Sequence, residues 1–218
     1  MCGRYLTPEE SAFERYWNLK APAGYRRSYN VAPSQQAPVI LRKRDGERAA
    51  ELFAWGFRPP WAQRTWINAR SETVFTAKAF ASAAEQRRCL VPALGWYEWK
   101  GEKAPKQPFL HHRGELEPIA LAGIWTGTRT DEGWKRSFAI LTRPAIRPLL
   151  AIHDRMPAVI EPDDYEAWLA ADTSPADALS LLLGGEPDIE AYPISPYVNK
   201  PEHDDAGCIE PLVGGEAS

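Results

Sequence analysis

The stretch CLVPALGWYEWK at residues 89–100 decides the fold class of this chain. Apolar and aromatic residues of this kind are typical of strands that pack against a core. Three later segments have the same character and are separated by glycine-rich and charged turns: QPFLHH (107–112), PIALAGIWTG (118–127) and KRSFAILT (135–142). Successive segments of this kind predict a mixed, mostly antiparallel sheet.

The segments on either side of this stretch predict one hairpin and several short helices. The RDG sequence predicts a turn that closes a hairpin over residues 38–55. Thr7 and Glu10 have the spacing of a capping box with Pro8 between them, which predicts an amphipathic helix over residues 7–20. Further helices are predicted at 76–88, with Thr76 as cap, and at 161–170 and 174–183.

These elements predict an α+β fold in a single domain, with a sheet curled around one core and flanked by short helices. We place the domain at residues 1–200 and expect residues 201–218 to form a flexible, acidic tail. At 218 residues and 44% hydrophobic residues, the chain is long enough to bury one substantial core.

The composition restricts the cellular setting. No apolar stretch approaches the roughly 20 residues that span a bilayer, and the first residues lack a signal-peptide pattern, so we expect a cytoplasmic protein. Three cysteines without CxxC spacing argue against both a disulfide framework and a zinc knuckle. We therefore expect reduced thiols, no metal and no cofactor.

The charge is distributed unevenly along the chain. Residues 1–160 carry 25 lysines and arginines against 15 acidic residues, a balance of +10, whereas residues 161–218 carry 1 against 14, a balance of −13. Two solvated faces of opposite sign explain this pattern without any function. The functional alternative is a basic groove for a polyanion, with the acidic segment packed away from it.

Cys2 carries the most reactive chemistry that the sequence offers. If Met1 is removed, Cys2 becomes N-terminal and has an α-amine and a thiol on adjacent carbons. An α-amine titrates near 7.7–8.0, so at neutral pH it is a far better nucleophile than lysine. An aldehyde attacked by this amine gives an iminium that the thiol closes to a five-membered thiazolidine. The alternative is that Cys2 is a small buried packing residue.

The segment WGFRPPWAQRTWINARSE (55–72) interleaves tryptophans with arginines. Bases stack on aromatic rings and phosphates pair with guanidinium groups, so this pattern suits single-stranded nucleic acid. Packing in the core is the alternative for some of these tryptophans. Lys78 adds a further cation just after the segment.

Two other residues are candidates for proton transfer. Strand alternation predicts that Glu98 points away from the face of Tyr97 and Trp99, and in a cleft its pKa would be raised by desolvation. An edge-strand glutamate that faces water is the alternative. His153 precedes a proline-limited strand, where a lone histidine has either a structural or a catalytic role, and its neighbours Asp154 and Arg155 suggest a surface ion pair.

Taken together, these segments resemble the SRAP (SOS response-associated peptidase) family, abasic-site processing proteins that bind single-stranded DNA and crosslink to abasic sites through an N-terminal cysteine. The resemblance extends from Cys2 to about Asn199. It rests on these motifs: MCGRY (1–5), YNVAPSQ (29–35), WGFRPPW (55–61), NARSET (68–73), RCLVPALGWYEW (88–99), KQPF (106–109), LAGIW (121–125), FAILT (138–142), IHDRMP (152–157) and VN (198–199).

The resemblance implies that Cys2 is the crosslinking nucleophile and that Asn68 positions its amine and the sugar. It implies that Glu98 transfers protons and that His153 belongs to the active site. The DNA-binding residues are then Arg4, Asn30, Pro33, Trp61, Arg70, Lys78 and Thr142. After Thr142, the run RPAI departs from the family's more usual acidic-Ala-Asn sequence.

The function implied is recognition of an abasic site in single-stranded DNA and its protection as a covalent thiazolidine adduct, with strand-cleaving lyase and self-processing peptidase activities as further expectations. We expect a monomer whose partner is single-stranded DNA containing abasic sites and which joins the nucleoid when bound to DNA. Two alternatives remain open. One is a glutamine amidotransferase-like hydrolase in which Cys2 forms a thioester, and the other is a DNA-binding module without covalent chemistry.

Overall fold

The structure is a computed structural model that describes residues 2–212. The strands are β1 (Arg4–Leu6), β2 (Gln36–Arg42), β3 (Arg48–Trp55), β4 (Asn68–Arg70), β5 (Arg88–Ala93), β6 (Gly95–Lys100), β7 (Gln107–His112), β8 (Ile119–Thr130), β9 (Gly133–Pro144), β10 (Arg155–Pro157), β11 (Val159–Ile160) and β12 (Glu190–Pro193). The α-helices are α1 (Glu10–Trp17), α2 (Ala81–Gln86), α3 (Tyr165–Leu169) and α4 (Pro175–Leu183). Short 3₁₀ helices lie at Arg147–Leu149, Pro162–Asp164, Pro196–Asn199 and Ala206–Cys208.

The strands form two sheets, and the larger one closes into a small barrel. Its closed ring runs β9-β3-β2-β5-β8 and returns to β9 through the β8–β9 hairpin. Only the β3–β9 contact in this ring is parallel. The smaller sheet has the order β1-β6-β7-β12. The predicted α+β class with a mostly antiparallel, curled sheet is confirmed, and so is the hairpin of β2 and β3.

The stretch 89–100 is where the chain passes from one sheet to the other. It was predicted as one β segment, but β5 belongs to the barrel and β6 to the smaller sheet, with Leu94 between them. Gly95 permits the crossing because a β-carbon at this position would lie 2.2 Å from the carbonyl oxygen of His111. Every residue with a side chain would clash there, so the glycine fixes how the two sheets meet.

Alternation along the barrel strands separates two cores. One face of each strand points into the barrel, where Val39, Trp55, Val91 and Phe138 pack together. The opposite face carries Ile40, Leu90 and Ala122 and is covered by the helices through residues such as Trp17, Trp168 and Leu182. This two-sided burial explains why the strands read as nearly continuous apolar runs.

Two helices begin later in the chain than predicted. Helix α1 begins at Glu10 after the N-cap residue Glu9, without a side-chain cap. Thr7 does not form the predicted capping box, because its hydroxyl instead accepts a hydrogen bond from the backbone N–H of Ser28. Helix α2 is confined to Ala81–Gln86, and residues before it form turns, so Thr76 is not its cap. In both cases tertiary contacts override the local capping signal.

Residues 201–212, which were predicted to belong to a flexible tail, make packing contacts with the domain. Cys208 is buried, and the carboxylate of Asp204 accepts hydrogen bonds from the Ser28 hydroxyl and from the backbone N–H groups of Tyr29 and Asn30. An acidic composition therefore conceals a segment that is packed against the domain. Residues 213–218 lie outside the described residues, and so does Met1. Within residues 2–212, no helix is long and apolar enough to cross a membrane.

Candidate functional site

The site is centred on Cys2, which lies at one end of the barrel core. Its side chain is fully buried and belongs to the same cluster as Tyr5, Trp55 and Trp96. The thiol lies 3.7 Å from the backbone carbonyl of Arg4. Burial raises the pKa of the Cys2 thiol well above its usual range, and the nearby Glu98 carboxylate raises it further. The resting thiol is therefore protonated.

Asn68 holds the backbone of Cys2. Its side-chain amide Nδ2 donates a 2.7 Å hydrogen bond to the Cys2 carbonyl. Asn68 begins β4, which pairs in parallel with β9, and alternation along this short strand puts Ala69 in the core and Asn68 and Arg70 on the opposite side. The Oδ1 atom of Asn68 is buried and has no hydrogen-bond partner among the described residues. It is therefore an acceptor available beside Cys2.

Glu98 is a buried carboxylate in the middle of β6. The side chain is 3% exposed, and its flanks are the aromatic residues Tyr97 and Trp99. Desolvation raises the pKa of Glu98 to about 7, with a smaller contribution from the Asp154 carboxylate. The predicted rise is confirmed, and at neutral pH the group is poised to give or take a proton.

The buried Glu98 carboxylate should also reduce stability at alkaline pH. Because its pKa in the folded state exceeds the unfolded value, the folded protein binds more protons between about pH 4.5 and 7, and stability falls as the pH rises through this window. We expect Glu98→Gln to increase the free energy of unfolding at pH 8 by about 2 to 3 kcal/mol and to change it little at pH 4.

Urea unfolding of wild type and Glu98→Gln at the two pH values measures this effect. Glu85→Gln is the matched control, because Glu85 is exposed and should not change the pH dependence. A Glu98→Gln variant that is equally destabilised at both pH values would contradict the assignment of a desolvated carboxylate.

His153 lies beside the same group of charges. Its Nδ1 accepts a 2.9 Å hydrogen bond from the backbone N–H of Arg155, so the proton of the neutral ring is on Nε2. Burial lowers the pKa of His153, whereas the Asp154 carboxylate, 2.9 Å from Nδ1, acts in the opposite direction. Asp154 thus influences both Glu98 and His153, which places the two titrating groups in one electrostatic environment.

An ion pair that no sequence pattern indicated connects two separate segments of the chain at the site. Arg155 pairs with both carboxylate oxygens of Glu72 rather than with Asp154, and its guanidinium also donates a 2.6 Å hydrogen bond to the Thr142 carbonyl. Hydrogen bonding to Arg155 lowers the pKa of Glu72 to about 2. This bridge ties the segment after β4 to the segment that carries His153. The motifs NARSE and HDR contained both residues, but nothing in their spacing indicated that they pair.

The Arg4 guanidinium makes three hydrogen bonds within the protein. Its Nη1 donates to the Asn30 Oδ1 at 3.1 Å and to the Val198 carbonyl at 3.2 Å, and its Nη2 donates to the Asn199 carbonyl at 3.5 Å. Arg4 therefore anchors the 3₁₀ helix Pro196–Asn199 next to β1. Its predicted phosphate contact stays a prediction.

Asn30 makes a network of hydrogen bonds inside the protein, and its predicted role in DNA binding stays a prediction. It is completely buried, and its Nδ2 lies within hydrogen-bonding distance of the carbonyls of Val198 (3.1 Å), Lys200 (3.0 Å) and His203 (2.8 Å). Through these bonds Asn30 holds the backbone of residues 198–203 beside β1. Only the fold of residues 196–205 reveals this role.

We expect Asn30→Ala to destabilise the protein by at least about 3 kcal/mol, because it leaves buried carbonyls and the Arg4 guanidinium without their partners. Asn30→Asp keeps the acceptor for Arg4 and removes the donors, so it should remain strongly destabilised. Urea midpoints measure both variants, with Gln63→Ala on the exposed loop as control. A loss below about 1 kcal/mol in Asn30→Ala would show that the network is unimportant.

Thr142 is also buried rather than accessible. Its hydroxyl lies 3.3 Å from the Arg155 guanidinium, and its carbonyl accepts a bond from the same group. Thr142 thus supports the Arg155 guanidinium, and its predicted DNA contact stays a prediction. Pro33 and Arg70 are exposed, as a contact with DNA requires.

Trp61 and Lys78 lie on exposed segments. Trp61 is 59% exposed, and the Lys78 ammonium lies 5.9 Å from the centre of its ring. The other tryptophans of the 55–72 segment differ, since Trp55 is fully buried and Trp66 packs against Phe80. Packing therefore accounts for Trp55 and Trp66, whereas Trp61 is exposed and its contact with a base stays a prediction.

The structure therefore brings Cys2, Asn68, Glu98 and His153 into one site. A carbonyl electrophile that reached it would meet a nucleophile at Cys2, an amide acceptor and a carboxylic acid that exchanges its proton near neutrality. Among residues 2–212 no group of three or more His, Cys, Asp and Glu side chains is arranged to hold a metal ion.

Comparison with known proteins gives consistent results. Residues 1–201 match the family model described as SOS response associated peptidase (SRAP). The chain is 35% identical to the abasic site processing protein YoaM of Bacillus subtilis over 225 residues, which cover 96% of this chain and 98% of YoaM. It is 33% identical to the abasic site processing protein YedK of Escherichia coli over 230 residues, which cover 97% of this chain and all of YedK.

The fold is shared with solved structures. A crystal structure of a protein from Bacteroides thetaiotaomicron superposes with a TM-score of 0.83 at 22% identity and covers 98% of this chain and 100% of that one. This likeness concerns the fold alone.

Proposed function

The chain belongs to the SOS response associated peptidase (SRAP) family, and we propose that it processes abasic sites in single-stranded DNA by forming a covalent thiazolidine adduct through Cys2. The proposal requires that Met1 be removed, so that Cys2 presents its α-amine. The relatives named abasic site processing proteins support the substrate. The observation that carries the chemistry is the position of Cys2 between the amide of Asn68 and the buried carboxyl of Glu98.

The first step is attack of the Cys2 amine on the C1′ aldehyde of the ring-opened sugar. Asn68 fixes the Cys2 carbonyl with its Nδ2, which leaves its Oδ1 to accept a hydrogen bond from the attacking amine. The protonated form of Glu98 gives its proton to the departing hydroxyl of the carbinolamine, water leaves, and an iminium forms. A carboxyl with a pKa of about 7 suits this proton transfer.

The second step closes the ring. The Cys2 thiol has a raised pKa in its buried site, and an adjacent iminium cation lowers that pKa again and favours the thiolate. The thiol gives its proton to the Glu98 carboxylate, and its sulfur bonds to the former aldehyde carbon while the C=N electron pair returns to nitrogen. One water is lost overall, and the proton taken from the thiol restores Glu98.

His153 assists proton movement at the sugar. Its neutral ring carries the proton on Nε2, so it donates a hydrogen bond to a sugar oxygen and orients that oxygen for proton transfer. An iminium also acidifies the adjacent sugar carbon, and β-elimination would cleave the strand. Rapid closure by the thiol suppresses this lyase reaction, which therefore becomes prominent only when the thiol is absent.

The DNA strand is held by residues around the site. Arg70 is exposed two residues after Asn68, and it binds a phosphate near the lesion. Trp61 stacks against a neighbouring base with Lys78 beside it, and Pro33 lines the same cleft. Self-processing peptidase activity would use the same Cys2 and Glu98 to remove Met1.

The burial of Cys2 also fits a DNA-binding module in which the cysteine is only a packing residue. The decisive test is therefore whether a covalent protein–DNA adduct forms. Wild-type protein is incubated with a single-stranded oligonucleotide that contains one abasic site and with a matched oligonucleotide that contains thymine there. We expect a species that survives denaturing electrophoresis with the abasic strand alone. Equal non-covalent binding to both strands, with no covalent species, would favour the module, whereas Cys2-dependent glutamine hydrolysis would favour the amidotransferase.

A further inference from the structure

A basic groove lies beside the loop that carries Trp61. Two adjoining pockets, of about 660 Å³ and about 460 Å³, share Pro60 and Arg136 and are bounded by the β8–β9 hairpin. Pro60 and Ala62, on either side of Trp61, line the groove, and its near end includes Ser34, next to Pro33. The groove is therefore continuous with the surface to which the proposed function assigns the lesion-proximal strand.

The groove is positively charged. Its two pockets are lined by five cationic residues and by no carboxylate: Arg44, Arg58, Arg87, Lys135 and Arg136. Arg136 pairs with Glu51 and Lys135 with Glu132. Within residues 2–212, Arg44, Arg58 and Arg87 make no ion pair, so they leave a net positive charge along the groove and favour a polyanion.

Trp134 forms an exposed aromatic surface on the same hairpin. It is 64% exposed, and with Trp61 it is one of the two most exposed large apolar side chains in residues 2–212. Its ring rests on β8 where Gly127 has no side chain, since a β-carbon there would lie 3.3 Å from the ring. The indole is thus held in place with one face toward solvent, as a base-stacking surface requires.

We propose that this groove binds the single-stranded DNA that flanks the lesion, with a base stacked on Trp134 and phosphates held by Arg44 and Arg87. The proposal rests on the proposed function for the direction in which the strand leaves the site, and it extends the footprint beyond Trp61. The cationic groove and the exposed Trp134 indole suit a single strand, because a base that stacks on an indole must be unpaired.

The test compares two undamaged single strands, one of about 6 nucleotides and one of about 20, by fluorescence anisotropy over a salt series. Trp134→Ala should weaken binding of the long strand about tenfold and leave the short strand unchanged, and Trp134→Phe should restore part of the loss. Arg44→Ala should reduce the slope of log K against log salt by about 0.7 for the long strand alone. Lys20→Ala, which removes an exposed cation outside the groove, is the matched control.

Two outcomes would overturn the groove. One is unchanged binding of the long strand in both Trp134→Ala and Arg44→Ala, and the other is an equal loss for the short and the long strand. Crosslinking to a short abasic strand, measured in parallel, separates the two proposals. Its absence in wild type would refute the covalent function and leave the groove standing, whereas its presence at a normal rate in Trp134→Ala with unchanged long-strand binding would refute the groove alone.

Discussion

A Cys2→Ala variant should lose the denaturation-resistant adduct with abasic single-stranded DNA, with a decrease of more than about a hundredfold in its yield. The variant still has an α-amine once Met1 is removed, so an iminium can form and reverse. Without the thiol, the intramolecular ring closure that makes the adduct stable is impossible. The measurement is a time course on denaturing gels with a 5′-labelled abasic strand.

Cys2→Ser gives the sharper comparison because it keeps the size and polarity of the side chain. We expect its iminium to be trapped by borohydride and the DNA strand to be cleaved more often than with wild type. Cys89→Ser, at a buried thiol outside the site, should form the adduct like wild type if it folds. An adduct of wild-type stability in Cys2→Ser would contradict closure by the thiol.

Glu98→Gln should slow adduct formation by about 10² to 10⁴ while leaving the affinity for an undamaged strand within a few-fold. The amide keeps the shape of the side chain but cannot give a proton to the departing hydroxyl. Single-turnover crosslinking measures the rate, and anisotropy measures the affinity. A large loss of affinity in this variant would assign Glu98 to DNA binding rather than to proton transfer.

The pH dependence of adduct formation separates the contribution of the Glu98 carboxyl from that of the Cys2 α-amine. In wild type the protonated fraction of Glu98 should decrease above about pH 7, because the pKa of this buried carboxyl is about 7. The neutral fraction of an α-amine increases up to about pH 8, so the two effects together give a maximum between these values. In Glu98→Gln the slower rate should only increase with pH until the amine is neutral.

The strands were predictable because their local pattern agrees with the final structure. The segments that become β5 to β9 are apolar runs with clear turns, and the β2–β3 hairpin follows from its RDG turn. Closure of the barrel was not predictable, since it depends on the parallel contact of β3 with β9 between residues more than eighty positions apart. The split at Leu94 was also hidden, because Gly95 is required by the His111 backbone and not by its own neighbours.

Some features of the site were likewise predictable from the sequence, and others were not. Strand alternation indicated that Glu98 faces away from Tyr97, and its burial follows from the packing of β1 and β7 on either side of β6. The internal hydrogen bonds of Arg4 and Asn30 were not predictable, because their partners are backbone carbonyls near residues 198–203, to which no sequence pattern points. The Glu72–Arg155 bridge escaped notice because Asp154 is the nearer acid in sequence.

Peptide mass spectrometry of the crosslinked protein tests whether Cys2 carries the thiazolidine. After nuclease and trypsin digestion, we expect the sugar remnant on the peptide Cys2–Arg4, with Met1 absent, one water lost and the thiol closed to alkylation. An intact Met1, a remnant attached to a lysine, or a Cys2 thiol in the adduct that still reacts with iodoacetamide would contradict it.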